Sequence, residues 1–116
     1  MFLNLSNHPS EKWSVAQRTA AESEYGEIID IPFPHVPPAA TCEEVQQLAV
    51  EYGFKVRATE AETVHLMGEM TFTFVLVKIL QYFKIKCVAS TSERKSIENA
   101  DGTKTIQFDF VQFRAY

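Results

Sequence analysis

Two short polar segments of the sequence combine residue types that can bind an anion. Each follows an apolar run and precedes a segment of helical period: the first is Ser6-Asn7-His8-Pro9, and the second is Gly68-Glu69-Met70-Thr71. Hydroxyl and amide groups donate hydrogen bonds to anions, and the amino end of a following helix adds free N–H groups and partial positive charge. If both segments lie at one edge of one sheet, they form a single anion-binding site.

Two residues of these segments could transfer protons and are the predicted catalytic residues. His8 can act as an acid or a base because imidazole gains and loses a proton near neutral pH. Glu69 can act as a base or can position a hydroxyl group. The predicted ligand-binding residues are Ser6, Asn7, Gly68, Thr71, Ser90, Thr91 and Arg94. Arg94 is included because the planar guanidinium group matches the geometry of a phosphate.

Each candidate also has a purely structural interpretation. Ser6 and Asn7 are residues that commonly form turns and helix caps. Glu69 would complement the dipole of the helix that follows it, and Arg94 would form a surface ion pair with a neighbouring glutamate. His65 lies within an apolar strand, where a hydrogen-bonded core histidine is the expected state.

Composition and charge exclude several classes of protein. A chain of 116 residues with 46% hydrophobic and 22% charged residues is typical of one globular domain with a real core. The net charge of −4 argues against a binder of long DNA or RNA, but it allows a small phosphorylated ligand. No apolar run reaches membrane-spanning length and the first residues do not resemble a signal peptide, so we expect no membrane association and a cytoplasmic location.

The sequence carries no recognisable cofactor or metal motif. Walker, GxGxxG, HExxH and GxSxG sequences are absent, as is any cluster of cysteine and histidine. The two cysteines, Cys42 and Cys87, are far apart and are expected to be reduced structural residues. We therefore expect neither a cofactor nor a bound metal.

Apolar runs of strand length alternate with segments of helical period, which predicts βαβ units and a parallel sheet. The predicted strands are 2–6, 27–31, 64–67 and 86–90. The first helix should begin near Ser10 or Ser14 and end at Gly26, and the second should begin at Thr41 and stop at Gly53. The third should span 71–83.

The last part of the chain predicts a β-hairpin, 91–116. Its arms are 91–97 and 104–113, joined by the turn Asn99-Ala100-Asp101-Gly102, and its last strand should run back along the sheet edge. One face of that strand should carry Ile106, Phe108, Phe110 and Gln112. The aromatic residues expected in the core are Trp13, Phe72, Phe74, Phe83, Phe108, Phe110 and Phe113. The predicted fold is a single α/β, Rossmann-like domain, 1–116, with about four mostly parallel strands, three helices and this antiparallel hairpin.

This topology predicts where the polar segments meet. Right-handed crossovers place the carboxyl end of every parallel strand at one edge of the sheet. Four segments should converge there: 6–8, the loop 33–35, 68–71 and 90–94. We expect them to form one anion-binding site.

The two polar segments also carry a family resemblance. The opening strand followed by Ser6-Asn7-His8-Pro9 and then Trp13 resembles the start of the small CRISPR-associated ring nuclease families. The glycine of Gly68-Glu69-Met70-Thr71, followed by an apolar helix, is similar to their later strand-glycine-helix element. The chain departs from them in the rest of that segment and in the long hairpin 91–116.

The resemblance implies a function in antiviral defence and a fold related to the CARF domain. It implies a homodimer that binds cyclic oligoadenylate across its two-fold axis and cuts it, without metal, into linear products. In that scheme Ser6, Asn7, Gly68 and Thr71 hold phosphate or ribose, His8 is the acid or base, and Arg94 stabilises the negative charge. Two other functions stay open: a non-catalytic nucleotide- or phosphate-sensing module, and a structural subunit whose hairpin pairs with another chain.

Overall fold

A computed structural model describes all residues, 1–116, and contains one five-stranded sheet with the order β2-β1-β3-β4-β5. The strands are β1 (Phe2–Ser6), β2 (Ile28–Asp30), β3 (Thr63–Met67), β4 (Lys86–Glu98) and β5 (Lys104–Ala115). The helices are α1 (Val15–Tyr25), α2 (Cys42–Ala58) and α3 (Met70–Tyr82), and a short 3-10 turn spans Ser10–Lys12. Strands β1 to β4 are parallel, and β5 is antiparallel to β4. The predicted mixed α/β sheet with three helices is confirmed.

The strand order determines where a ligand can bind. The chain leaves β1 to form β2 on one side and later returns to form β3 on the other side of β1. In open α/β sheets of this kind the crevice lies outside the carboxyl ends of the two strands at which the order reverses. Here those strands are β1 and β3, which end at Ser6 and Met67.

The two faces of the sheet carry different cores. Helices α2 and α3 cover one face, where Leu3 and Leu5 of β1 join the main hydrophobic cluster. Helix α1 lies on the other face, where Phe2 and Val88 form a smaller cluster with Ala21 of the helix. Because side chains alternate along a strand, Asn4 and Ser6 share the α1 face with Phe2.

The local signals at the helix ends are mostly confirmed. Ser14 accepts a hydrogen bond from the backbone N–H of Gln17 and begins α1, and Gly26 ends it with a φ of 90°. Thr41 and Glu44 form a reciprocal capping box at the start of α2. These short-range hydrogen bonds depend only on neighbouring residues, so the sequence predicts them well.

The predicted end of α2 at Gly53 is wrong, since the helix continues to Ala58. Gly53 is buried where α2 meets α3, and a Cβ atom at this position would lie 2.9 Å from Cγ2 of Ile79. The glycine therefore allows two helices to pack closely instead of ending one of them.

The hairpin differs from its prediction in two respects. Its first arm is not a separate strand but the continuation of β4, so the sheet has five strands. A β-bulge opposite Thr91 and Ser92 inserts one extra residue into β5. After Phe110, the next side chain of β5 on the α1 face is therefore that of Phe113, and not that of Gln112 as predicted. The predicted turn and the edge position of the last strand are confirmed.

The hairpin extends beyond the helices. The radius of gyration is 16.0 Å and the longest dimension is 50 Å, whereas a compact chain of this length has a radius of gyration of about 13 Å. Phe108 on the hairpin is 66% exposed and Phe74 on α3 is 55% exposed, so the prediction that both lie in the core is wrong.

Both cysteines are free, as expected. No helix is long and apolar enough to cross a membrane.

We predict that Gly53→Ala lowers the free energy of unfolding by roughly 1 to 2 kcal/mol, because overpacking against Ile79 outweighs the better helix propensity of alanine. Urea denaturation measures this change. Glu51→Ala, at an exposed position of the same helix, is the matched control and should change stability by less than about 0.5 kcal/mol. A Gly53→Ala protein at least as stable as the wild type would contradict the packing role.

Candidate functional site

A row of polar residues crosses the α1 face of the sheet. Asn4 on β1 lies in register with Asp30 on β2 and with His65 on β3. Asn4 is 1% exposed and His65 is 2% exposed, so their polar atoms need partners within the protein. Asn4 and His65 hydrogen-bond to each other, and each has a further partner on an adjacent strand.

The orientation of the Asn4 amide is fixed by its partners. Its Nδ2 donates to Oδ1 of Asp30 at 2.7 Å and to the carbonyl oxygen of His8 at 2.9 Å. Both groups accept hydrogen bonds only, the first because Asp30 is ionised at neutral pH. The amide oxygen must therefore face the other way, where it accepts from Ser6 Oγ at 2.8 Å and meets Nδ1 of His65 at 2.9 Å.

This orientation determines the tautomer of His65. Because the amide oxygen of Asn4 can only accept, Nδ1 of His65 carries the proton. In the neutral ring Nε2 is then an acceptor, and Ser90 Oγ lies 3.1 Å away. The Ser90 hydroxyl also lies 3.2 Å from the sulfur of Met67, but a thioether is the weaker acceptor, so the hydroxyl donates to the ring.

Burial keeps His65 neutral. Desolvation, with a smaller contribution from the nearby charge of His8, lowers the pKa of His65 from 6.5 to about 4. At neutral pH the ring therefore has one N–H that donates to Asn4 and one lone pair that accepts from Ser90.

Asp30 connects the polar row to the start of helix α1. Its carboxylate accepts from Ser10 Oγ at 2.6 Å and from the Ser10 backbone N–H at 3.0 Å, and Arg18 lies 3.4 Å from the same hydroxyl. Burial by itself raises the pKa of Asp30, but the hydrogen bonds from Ser10 and Asn4 and the charge of Arg18 outweigh it and lower the pKa. An ionised carboxylate thus anchors the row at neutral pH.

The segment after β1 is held by its backbone. The His8 carbonyl accepts from Asn4 and from Nε1 of Trp13, and the His8 N–H donates to Ser6 Oγ. The His8 side chain makes no hydrogen bond and is exposed. The backbone is therefore fixed while the imidazole can meet a ligand.

A cavity of about 700 Å³ lies over the carboxyl ends of β1 and β3 and beside the middle of β4. The strands and the segments after them contribute Ser6, Asn7, His8, His65, Met67, Gly68 and Ser90. The segment leading into α1 contributes Lys12, Trp13 and Ser14, the first turn of α1 contributes Gln17, and the hairpin contributes Ser92, Phe108 and Phe110. Lys12 is the one lysine or arginine in this lining, which contains no carboxylate. The cavity therefore favours an anionic ligand with apolar parts.

Five of the predicted site residues come together in this cavity. They are Ser6, Asn7, His8, Gly68 and Ser90. The expected convergence of the loop 33–35 is not found there: Phe33 packs against the main core, and a Cβ atom on Gly68 would overlap its ring. The absence of a side chain at Gly68 thus makes room for Phe33.

The other predicted residues do not line the cavity. Glu69 caps α3, since its carboxylate accepts from the backbone N–H groups of Phe72 and Thr71 and from the Thr71 hydroxyl. These hydrogen bonds, that of Phe72 first, lower the pKa of Glu69. Its carboxylate is therefore already occupied, and catalytic and ligand roles for Glu69 and Thr71 stay predictions without support from this geometry.

The two predicted hairpin residues also lie outside the cavity lining. Thr91 donates to the carbonyl of Gln112. Arg94 is exposed and pairs across the hairpin with Phe108, on the same face as Ser90 but farther from the helices. Arg94 forms no ion pair with either neighbouring glutamate, and its ligand role stays a prediction.

Sequence reasoning missed several residues of the cavity. Lys12 and Gln17 were not among the predicted ligand-binding residues, and His65 was interpreted only as a core residue, whereas Ser92 belongs to the segment 90–94 that was expected at this edge. That interpretation is correct in that His65 is buried and hydrogen-bonded, but it omits the link to Ser90. The signal available in the sequence was the polar Asn4 within an otherwise buried strand, because a buried amide requires a polar partner.

The structure has no group of three or more histidine, cysteine, aspartate or glutamate side chains placed to hold a metal ion.

We predict that the stability of the protein falls as the pH is lowered from 6.5 to 4, and that His65 causes much of this loss. The folded-state pKa of His65 lies below its unfolded value, so the unfolded state binds more protons between these two pH values. The contribution is fully present above pH 6.5 and amounts to about 3 kcal/mol. Urea denaturation at a series of pH values measures it.

His65→Gln should flatten this slope. His35→Gln, at an exposed histidine outside the cavity, is the matched control and should leave the slope unchanged. Equal slopes in the wild type and in His65→Gln would contradict a buried neutral ring.

Comparison with known proteins gives one match. Residues 1–114 match the family described as "Uncharacterized protein MJ1673 family". No curated protein and no solved structure matches the chain. Because the match covers nearly the whole sequence, the chain belongs to the MJ1673 family.

Proposed function

We propose that this protein binds a cyclic oligoadenylate in the cavity at the carboxyl ends of β1 and β3 and cleaves it without a metal ion. The observation that carries the proposal is the lining of the cavity, which combines Lys12, several hydroxyl groups, two histidines and three aromatic side chains with no carboxylate. The resemblance of the polar segments to ring nucleases, with their CARF-like fold, supplies the identity of the ligand.

The lining suits both parts of a nucleotide. Lys12 and the hydroxyl of Ser92 can bind phosphate oxygens. Trp13, Phe108 and Phe110 offer aromatic surface to adenine, and Phe108 is exposed at the hairpin. Stacking on an aromatic ring contributes about 1 to 3 kcal/mol per base in proteins that bind single strands.

Cleavage without metal needs a nucleophile, a base and an acid. The 2′-oxygen of a ribose attacks the adjacent phosphorus, the bond to the 5′-oxygen breaks, and a 2′,3′-cyclic phosphate and a 5′-hydroxyl result. His8 is the group best placed to exchange a proton with the ligand because its side chain is free and exposed at the cavity. Lys12 would stabilise the negative charge on the phosphorane.

A homodimer would give a symmetric ligand a symmetric site. Besides Phe108, several large apolar side chains are exposed on the hairpin and the end of the chain, namely Ile97, Ile106, Val111 and Tyr116. Burial of these side chains against a second copy is the contact that we propose for the dimer. We place the dimer in the cytoplasm, where the messenger would be made.

The proposal is tested by incubating the purified protein with cyclic tri-, tetra- and hexa-adenylate in EDTA. Binding is measured by calorimetry and products by mass spectrometry, and we expect linear products from at least one ring. Lys12→Ala should weaken binding about tenfold, which corresponds to 1.4 kcal/mol, and Lys104→Ala, an exposed lysine outside the cavity, should not. Neither binding nor products with any ring would refute the proposal.

His8→Ala separates cleavage from binding. Loss of turnover with retained affinity supports the catalytic role of His8. A second function, a non-catalytic sensor, is favoured by the capping role of Glu69, because its carboxylate already accepts hydrogen bonds from Thr71 and Phe72 and lies outside the cavity lining. Tight binding by the wild type with no product would identify a sensor.

A further inference from the structure

One hydroxyl group that lines the cavity donates a hydrogen bond to a base. Ser90 Oγ donates to Nε2 of His65 at 3.1 Å, and Nδ1 of the same ring donates to Asn4 at 2.9 Å. Asn4 in turn donates to the Asp30 carboxylate at 2.7 Å. A nucleophile, a base within hydrogen-bond reach and a third group that orients the base are the parts of an activated serine.

We infer that Ser90 is a nucleophile toward phosphoester groups bound in the cavity, with His65 as its general base and with Asn4 and Asp30 as positioning residues. The inference goes beyond the proposed function, since it requires neither a cyclic oligoadenylate nor a 2′-hydroxyl group.

The other serines of the cavity lack this arrangement. Ser6 Oγ is buried and donates to the amide oxygen of Asn4, which cannot take its proton. Ser14 caps helix α1, and Ser92 is exposed and has no hydrogen-bonded base. Ser90 is partly exposed in the wall of the cavity, so its hydroxyl can meet a ligand while keeping its contact with His65.

The step balances with water as the only co-reactant. Ser90 Oγ attacks phosphorus, the bond from phosphorus to the leaving oxygen breaks, and the Oγ proton passes through Nε2 of His65 to the leaving oxygen. Water then attacks the phosphoryl group on Ser90 and gives its proton to Nε2, and the Oγ–P bond breaks as Oγ regains a proton. The products are an alcohol and a phosphomonoester.

The surroundings favour this reaction at neutral pH. His65 is neutral there, so Nε2 is free to accept the proton. An anionic phosphoryl group beside the ring stabilises the imidazolium that forms, and Lys12 lines the same cavity as a counter-charge for the phosphorane. The other ionisable groups around His65 in this network are His8 and Asp30.

A fluorophosphonate ester tests the inference without any nucleotide. Attack by Ser90 displaces fluoride and leaves a stable adduct, which intact-mass measurement and peptide mapping locate. We expect one adduct, on Ser90, with a labelling rate that rises through about pH 4 as His65 loses its proton and then stays level between about pH 6 and 8. A merely structural hydrogen bond would give no adduct at neutral pH.

The variants identify each partner. Ser90→Ala should abolish labelling, whereas Ser92→Ala, in the same cavity wall, should leave the rate unchanged. His65→Gln should slow labelling at least tenfold; if it does not fold, Asp30→Ala, at a residue in contact with solvent, should still shift the pH profile because it removes the acceptor that orients the Asn4 amide. No adduct in the wild type, an adduct on Ser92, or labelling unaffected by His65→Gln and by Asp30→Ala would overturn the inference.

Discussion

The hydrogen bond between the Asp30 carboxylate and the Asn4 amide is the constraint on which the site depends. The ionised carboxylate can only accept, so it determines which way the amide of Asn4 points. The amide determines which nitrogen of His65 carries the proton, and that nitrogen determines the direction of the Ser90 hydrogen bond. One charged group at the edge of the sheet thus orients a chain of neutral groups across four strands.

The fold supports this chain through strand register. Asp30 and Asn4 are paired positions of adjacent parallel strands, as are Asn4 and His65, so the three lie side by side on the α1 face. The main hydrophobic cluster lies on the opposite face of the sheet and includes Leu3 and Leu5, which alternate along β1 with Asn4 and Ser6. The same strand therefore supplies a core on one face and a polar network on the other.

Features that depend on neighbouring residues were predictable, and features that depend on distant contacts were not. The capping box at Thr41 and the turn at Gly102 are short-range, and both are present. Gly53 has the same local signal as a helix end, but its packing against Ile79 keeps the helix intact. Likewise, five cavity residues were predicted from the order of strands and helices. The role of His65 was not predicted, because it depends on Asn4, which lies 61 residues away in the sequence.

The most direct test of this account is the protonation of the two ring nitrogens of His65, which nitrogen-15 NMR spectroscopy measures in the intact protein at pH 7. The account predicts a neutral ring with the proton on Nδ1 and a bare Nε2. A proton on Nε2, or on both nitrogens, would contradict it, because the Asn4 amide would then not be oriented by Asp30 or the ring would not accept from Ser90.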